Sequence, residues 1–168
     1  MIVFDASTLI LITKAELLEK FLDGIGQEVV IPSAVEKECC ATKQSLDALL
    51  IRKVLDEGRI KAISVLKRNR KLYERMRDDF TLGRGAAEAI ALAFSEGSPL
   101  VAIDDKNGIN ACKLLGTTFT TAVGILVRMR EKGLLETAEA LIGLDALAKH
   151  GRYKPTIIDD ARVRLEGM

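Results

Sequence analysis

The chain opens Met1-Ile2-Val3-Phe4-Asp5, and this start restricts what can follow. Ile2, Val3 and Phe4 are apolar β-formers in a run too short for a helix. An acid ends the run, and a second apolar segment, Leu9-Ile10-Leu11-Ile12, follows almost at once. A strand apolar on both faces is stable inside a parallel sheet covered by helices on both sides. Asp5 then stands at the carboxyl end of a central strand, followed directly by a helix, on the edge where open α/β sheets bind ligands. A plainer role is also open to it, since Asp, Ser and Thr are all good helix N-caps.

The same alternation recurs along the chain. Val29-Val30-Ile31 is a second two-faced run, closed by Pro32-Ser33, with Ser33 a natural N-cap for a helix carrying Glu36 and Glu38. Weak alternation over Ile60–Leu66 predicts an edge strand, Pro99–Ile103 is the clearest strand after the first, and Thr117–Phe119 is a short last one. Helical spacing is predicted over Glu16–Leu22, Leu46–Asp56, Lys67–Asp79, Ala89–Ala93 in a helix ending at Gly97, Asn107–Leu115, Val123–Glu131, Thr137–Lys149 and Pro155–Leu165. Strands alternating with helices predict an α/β fold, a mostly parallel sheet of about five strands between two helical layers. The 168 residues make one domain, with the helices from about residue 134 as an extension of it.

Composition narrows the function classes. With 48% apolar and 29% charged residues the chain is neither disordered nor built for a membrane. Its first residues lack the basic region of a signal peptide, and the three cysteines, Cys39, Cys40 and Cys112, make no disulfide framework and no zinc spacing. They read as small buried hydrophobes, and a reducing cytoplasm is the expected location. A net charge of +1 gives no bulk attraction to nucleic acid, so phosphate contacts must be local. The dense basic run is Lys67, Arg68, Arg70, Lys71, Arg75 and Arg77, and Arg84 follows at the next turn. Such a run is usually a solvated face; here Lys67, Arg68, Arg70, Lys71 and Arg84 are candidate phosphate contacts rimming the site. Gly83-Arg84-Gly85 does not open a dinucleotide loop, because Glu88 holds the third glycine position and no strand precedes it. Its glycines are expected to give a tight turn into the helix.

Right-handed crossovers place every strand's carboxyl end on one edge. Asp5 follows the first strand, Asp104 and Asp105 follow the fourth, and Glu38 and Glu88 sit in helices beginning near the same edge. Each acid alone is explained as a cap or helix-dipole partner; acids at two strand ends together are not. Carboxylates converging on one crevice repel one another unless a cation neutralises them. With only oxygen donors nearby, the expected cation is Mg²⁺ or Mn²⁺, which suits in-line hydrolysis of a phosphodiester. Adjacent residues on a strand point opposite ways, so Asp104 is favoured as the ligand and Asp105 as the N-cap of the next helix. Surface or packing roles are expected for His150, Tyr73 and Tyr153.

Four segments in order resemble a PIN domain over nearly the whole chain: Val3–Ile10, Ile31–Glu38, Gly85–Ala93 and Ile103-Asp104-Asp105. The resemblance implies a compact three-layer α/β/α nuclease with an acidic Mg²⁺/Mn²⁺ site that cleaves single-stranded RNA. It also implies the company such proteins keep, as dimers and as toxins of toxin–antitoxin pairs with an antitoxin protein as partner. Carried over, Asp5, Glu38, Glu88 and Asp104 match the family's acids, with Asp105 a second candidate at the last position. Metal would fall to Asp5, Glu88, Asp104 and Asp105, and Ser7 matches a hydroxyl residue that supports the first Asp. The prokaryotic subgroup often has Glu where Ala86 stands and Arg where Ile109 stands. A second expectation therefore stands beside the first: a nucleic-acid-binding or partner-binding module that keeps the fold without turnover. A small-molecule phosphate enzyme of Rossmann type is a third, but no phosphate loop supports it.

Overall fold

The computed structural model describes residues 1–41, 44–97 and 100–168, with the side chains of 66–68 outside that description. Five strands, β1 (Ile2–Phe4), β2 (Val29–Pro32), β3 (Lys61–Ile63), β4 (Leu100–Ala102) and β5 (Phe119–Thr120), form one sheet in the order β3-β2-β1-β4-β5. Every neighbouring pair is parallel. β1 lies in the centre, in register with Val29 and Val30 of β2 on one side and with Leu100, Val101 and Ala102 of β4 on the other. The chain winds outward from β1 to β3, then restarts beyond β1 with β4. The order reverses between β1 and β4, which makes their carboxyl ends the switch point of the sheet.

The period of two in each strand builds two cores. Ile2, Phe4, Val29, Ile31 and Ala102 join the core on one face, while Val3, Val30, Val101 and Ile103 join the other. Both sides are dry because helices cover both. The first face carries α1 (Ala6–Lys14), α2 (Leu18–Gly24), α3 (Ser33–Cys40), α4 (Leu46–Asp56), α8 (Ala122–Glu131), α9 (Thr137–His150) and α10 (Pro155–Glu166). The second carries α5 (Leu66–Phe80), α6 (Arg84–Ser95) and α7 (Lys106–Leu115). Phe4 is fully buried and meets Phe21 edge-on at 5.6 Å and 70°. Leu144 and Leu147 of α9 and Ala161 and Leu165 of α10 enter this same first core. All three cysteines are buried. No helix among the described residues is long and apolar enough to cross a membrane.

Several boundaries shift from the sequence expectation. β3 is an edge strand as expected but keeps only Lys61–Ile63, because Leu66 starts α5. The last strand is Phe119–Thr120, displaced toward the carboxyl side of Thr117–Phe119, and Pro99 lies outside the described residues. Ser33 is the first residue of α3, with Pro32 at the N-cap position and no side-chain cap bond. The turn before α6 does not use its glycines for left-handed backbone. Gly83 is extended (φ −61°, ψ 161°), and Thr81 takes the left-handed conformation at φ 54°.

Candidate active site

β1 and β4 run out side by side, the Asp5 N–H donating to the Ala102 carbonyl at 2.9 Å. Asp5 does cap α1: its Oδ2 accepts from the Ser7 N–H at 3.3 Å and from Ser7 Oγ at 2.6 Å. Ser7 Oγ also accepts from the Asp104 N–H at 3.2 Å, so one hydroxyl ties the ends of the two central strands together.

With Oδ2 taken by Ser7, Asp5 Oδ1 turns toward Gly85, the second residue of α6. A Cβ on Gly85 would lie 3.4 Å from Asp5 Oδ1, 2.9 Å from Glu38 Oε2 and 3.2 Å from Val35 Cγ2. Asp5 and Glu38 therefore reach the same point from two elements, and the missing side chain of Gly85 leaves room for both. Glu38 has no hydrogen-bond or ion-pair partner among the described residues. Burial pushes the Asp5 carboxyl above its ordinary range; the Ser7 bonds and the Ala6 backbone oppose this, and the Glu38 charge adds to it. Cys112 of α7 also feels Asp5. Its thiol is pushed up to about 11, first by burial and then by that charge, so it stays protonated and is no thiolate ligand.

The other acids are engaged differently. Asp104 Oδ2 accepts from Thr8 Oγ1 and from the Ala122 N–H, both at 2.8 Å, and Oδ1 accepts from the Tyr153 hydroxyl. Burial raises its carboxyl too, against those three donors. Asp105 is exposed and caps α7, accepting from the Gly108 N–H at 2.8 Å. Glu88 is 1% exposed and one turn along α6 from Gly85. Its Oε1 accepts from Arg84 Nε at 2.9 Å and its Oε2 from the Ala34 N–H at 3.3 Å. That bond supplies the first turn of α3 with the acceptor that Ser33 does not. Among the described residues no group of three or more His, Cys, Asp or Glu side chains lies close enough to hold one metal ion. The five expected acids are engaged separately: Asp5 reaches toward Glu38, Asp104 accepts from Thr8, Ala122 and Tyr153, Glu88 accepts from Arg84 and Ala34, and Asp105 caps α7.

The chain of 168 residues matches the model of a PIN-domain family over residues 1–166. It belongs to the PIN-domain family. No curated protein and no solved structure matches it. PIN domains are in general nucleases, and the central parallel sheet between helical layers is that fold. Two oxygens of one kind, Asp5 Oδ1 and Glu38 Oε2, fit a hard divalent cation that keeps several waters, since Mg²⁺ is commonly bound by one or two carboxylates plus substrate phosphate. Ala86 is buried, and Ile109 packs half-buried against the second core.

The expected phosphate contacts are placed unevenly. Arg84 is half-exposed at the start of α6, beside the acid pair. The side chains of Lys67 and Arg68 lie outside the described residues. Arg70 pairs with Glu74 at 2.9 Å and Arg75 with Asp79 at 3.8 Å, both within α5. α5 ends at Phe80, a few residues before α6 begins, and Arg77, Asp78 and Asp79 stand in its last turn. Lys71 lies roughly 10–12 Å farther back along the helix from Asp78-Asp79, at ~1.5 Å per residue. Thr8 and Tyr153 were not among the expected site residues. Thr8 lies in the motif already singled out, but nothing local marks Tyr153, 49 residues beyond its partner Asp104.

Proposed function

We propose that this PIN domain is a Mg²⁺- or Mn²⁺-dependent endoribonuclease that hydrolyses phosphodiester bonds of single-stranded RNA. The observation that carries the proposal is the meeting of Asp5 and Glu38 at Gly85, on the switch point of the sheet. Asp5 and Glu38 would hold the ion through Oδ1 and Oε2, and the ion when bound would supply Lewis-acid polarisation of the phosphoryl group. Ser7 keeps Asp5 oriented by taking Oδ2, and Gly85 keeps the approach open. Arg84, held by the buried Glu88, offers its outer guanidinium nitrogens to a phosphate oxygen. Asp104 serves through its bonds to Thr8, Ala122 and Ser7, holding the end of β4 against β1.

The test is cleavage of a labelled single-stranded RNA with and without Mn²⁺, beside Asp5→Asn and Glu38→Gln. Cleavage that survives chelation, or is unchanged in both variants, rules the proposal out. A second reading has its own support: Ala86, Ile109 and the engagement of Asp104 by Tyr153 leave the site with fewer free groups than a nuclease of this subgroup carries. In that reading the PIN domain binds RNA or a partner without turnover, and metal and RNA bind with no cleavage. The proposal extends to a toxin of a toxin–antitoxin pair acting as a homodimer. A mass measurement in solution and an antitoxin-like reading frame beside the gene would test those parts.

A further inference from the structure

A site built on two carboxylates repels a polyanion unless cations stand beside it. In the last turns of α5, Arg75 pairs with Asp79 and Arg77 donates to the Tyr73 hydroxyl. The connection between α9 and α10 offers a denser group. Lys149, His150, Arg152 and Lys154 crowd into six residues, all four are exposed, and none has an ion-pair or hydrogen-bond partner among the described residues. Between Arg152 and Lys154 stands Tyr153, whose hydroxyl bonds Asp104 Oδ1. The Tyr153 ring also closes over Gly151, where a Cβ would lie 2.4 Å from it. The aromatic residue thus fastens the connection to the end of β4, one hydroxyl away from Asp5, and its two cationic neighbours point to solvent there. The nearest acids in sequence do not cancel this charge. Asp145 is paired with Arg162 at 2.5 Å, and Asp159 and Asp160 stand in the second turn of α10.

We propose that the α9–α10 connection is the phosphate-binding rim of the site, with Arg152 and Lys154, backed by Lys149, taking the backbone of a single-stranded RNA. Tyr153 sets the position of the rim by its bond to Asp104. The proposal rests on the nuclease reading for the kind of ligand, and on the pairing and exposure of the cations for the surface. It transfers the RNA contact from α5, where Arg70 and Arg75 pair with Glu74 and Asp79, to a connection whose cations have no ion-pair partner among the described residues.

The experiment measures binding of a fluorescein-labelled single-stranded RNA by anisotropy, in EDTA so that no cleavage intervenes, across a range of salt. Arg152→Glu with Lys154→Glu should weaken binding at least ~10-fold near physiological salt. It should also lower the slope of log affinity against log salt by about 1.4, two contacts at ~0.7 each. The charge-keeping pair Arg152→Lys with Lys154→Arg should bind like wild type, which separates charge from folding. Arg70→Glu with Lys71→Glu should leave affinity and slope near wild type. The opposite pattern, loss on α5 and none on the connection, overturns the proposal, as does a wild-type chain that binds no RNA. Equal binding to polyglutamate overturns it in favour of an acidic protein partner. A chain that binds RNA through Arg152 and Lys154 yet cleaves none keeps the rim and sinks the nuclease reading.

Discussion

A methyl group added at Gly85 would come within 2.9 Å of Glu38 Oε2 and 3.2 Å of Val35 Cγ2, so Glu38 would have to swing aside. Alanine is favoured over glycine inside a helix by about 1 kcal/mol, which offsets part of the crowding. Gly85→Ala is therefore expected to melt within a few degrees of wild type but to lose the rise in melting temperature that Mg²⁺ or Mn²⁺ gives by binding the folded state. A full metal-dependent rise in this variant would show that the ion is not held between Asp5 and Glu38. Cys112 supplies a test at alkaline pH. The folded chain holds its thiol proton up to about 11, whereas the unfolded chain releases it near the ordinary value of 9.0. The stability carried by the neutral thiol is thus complete below pH 9 and is lost as pH climbs toward 11, by roughly 2–3 kcal/mol at the end of that window. Denaturant unfolding of wild type against Cys112→Ala between pH 8 and 11 checks this. Parallel curves would show that the thiol is not the group responsible.

The secondary elements show which parts of the molecule a reader of the sequence could find. β1, β2 and β4 were legible because both of their faces are buried, and a strand with two dry faces must be apolar throughout. β3 was legible only in part: Lys61 and Ala62 are exposed on the edge, so little in the side chains marks where the strand stops. Asp5 and Asp104 could be found because each ends an apolar run. Their division of labour could not, since it depends on Ser7, Thr8 and Tyr153 reaching across 97, 96 and 49 residues. Gly85 was misjudged as a turn glycine because close approach and left-handed backbone leave the same trace in a sequence. The contact that secures the α9–α10 connection can be tested directly. Tyr153→Phe removes a hydrogen bond to a half-buried carboxylate and is expected to cost about 1–2 kcal/mol in chemical denaturation. Leu165→Ala, which empties a wholly buried position of α10, is expected to cost about 2–5 kcal/mol. If both changes were neutral, α10 would contribute nothing to the stability of the core.

At the scale of the whole molecule, charge is nearly balanced. Lys and Arg number 25 against 24 Asp and Glu, which gives a sequence pI of about 7.7. Solubility should therefore pass through a minimum near pH 7.7 and recover on both sides, because net charge is what keeps molecules apart. Light scattering across pH 6 to 9 would check it, and a monotonic trend would contradict it. The sheet order has a consequence for how the molecule is made. β1 leaves the ribosome first but takes its place between β2 and β4, and a chain growing at about 5–20 residues per second reaches β4 roughly 5–20 s later. Until then the first strand has an open side, and Ser7 has no second strand to bridge. Tyr153 emerges later still. The bonds that Asp104 accepts from Thr8 and Tyr153 therefore form late, after the first strand has waited for its second neighbour.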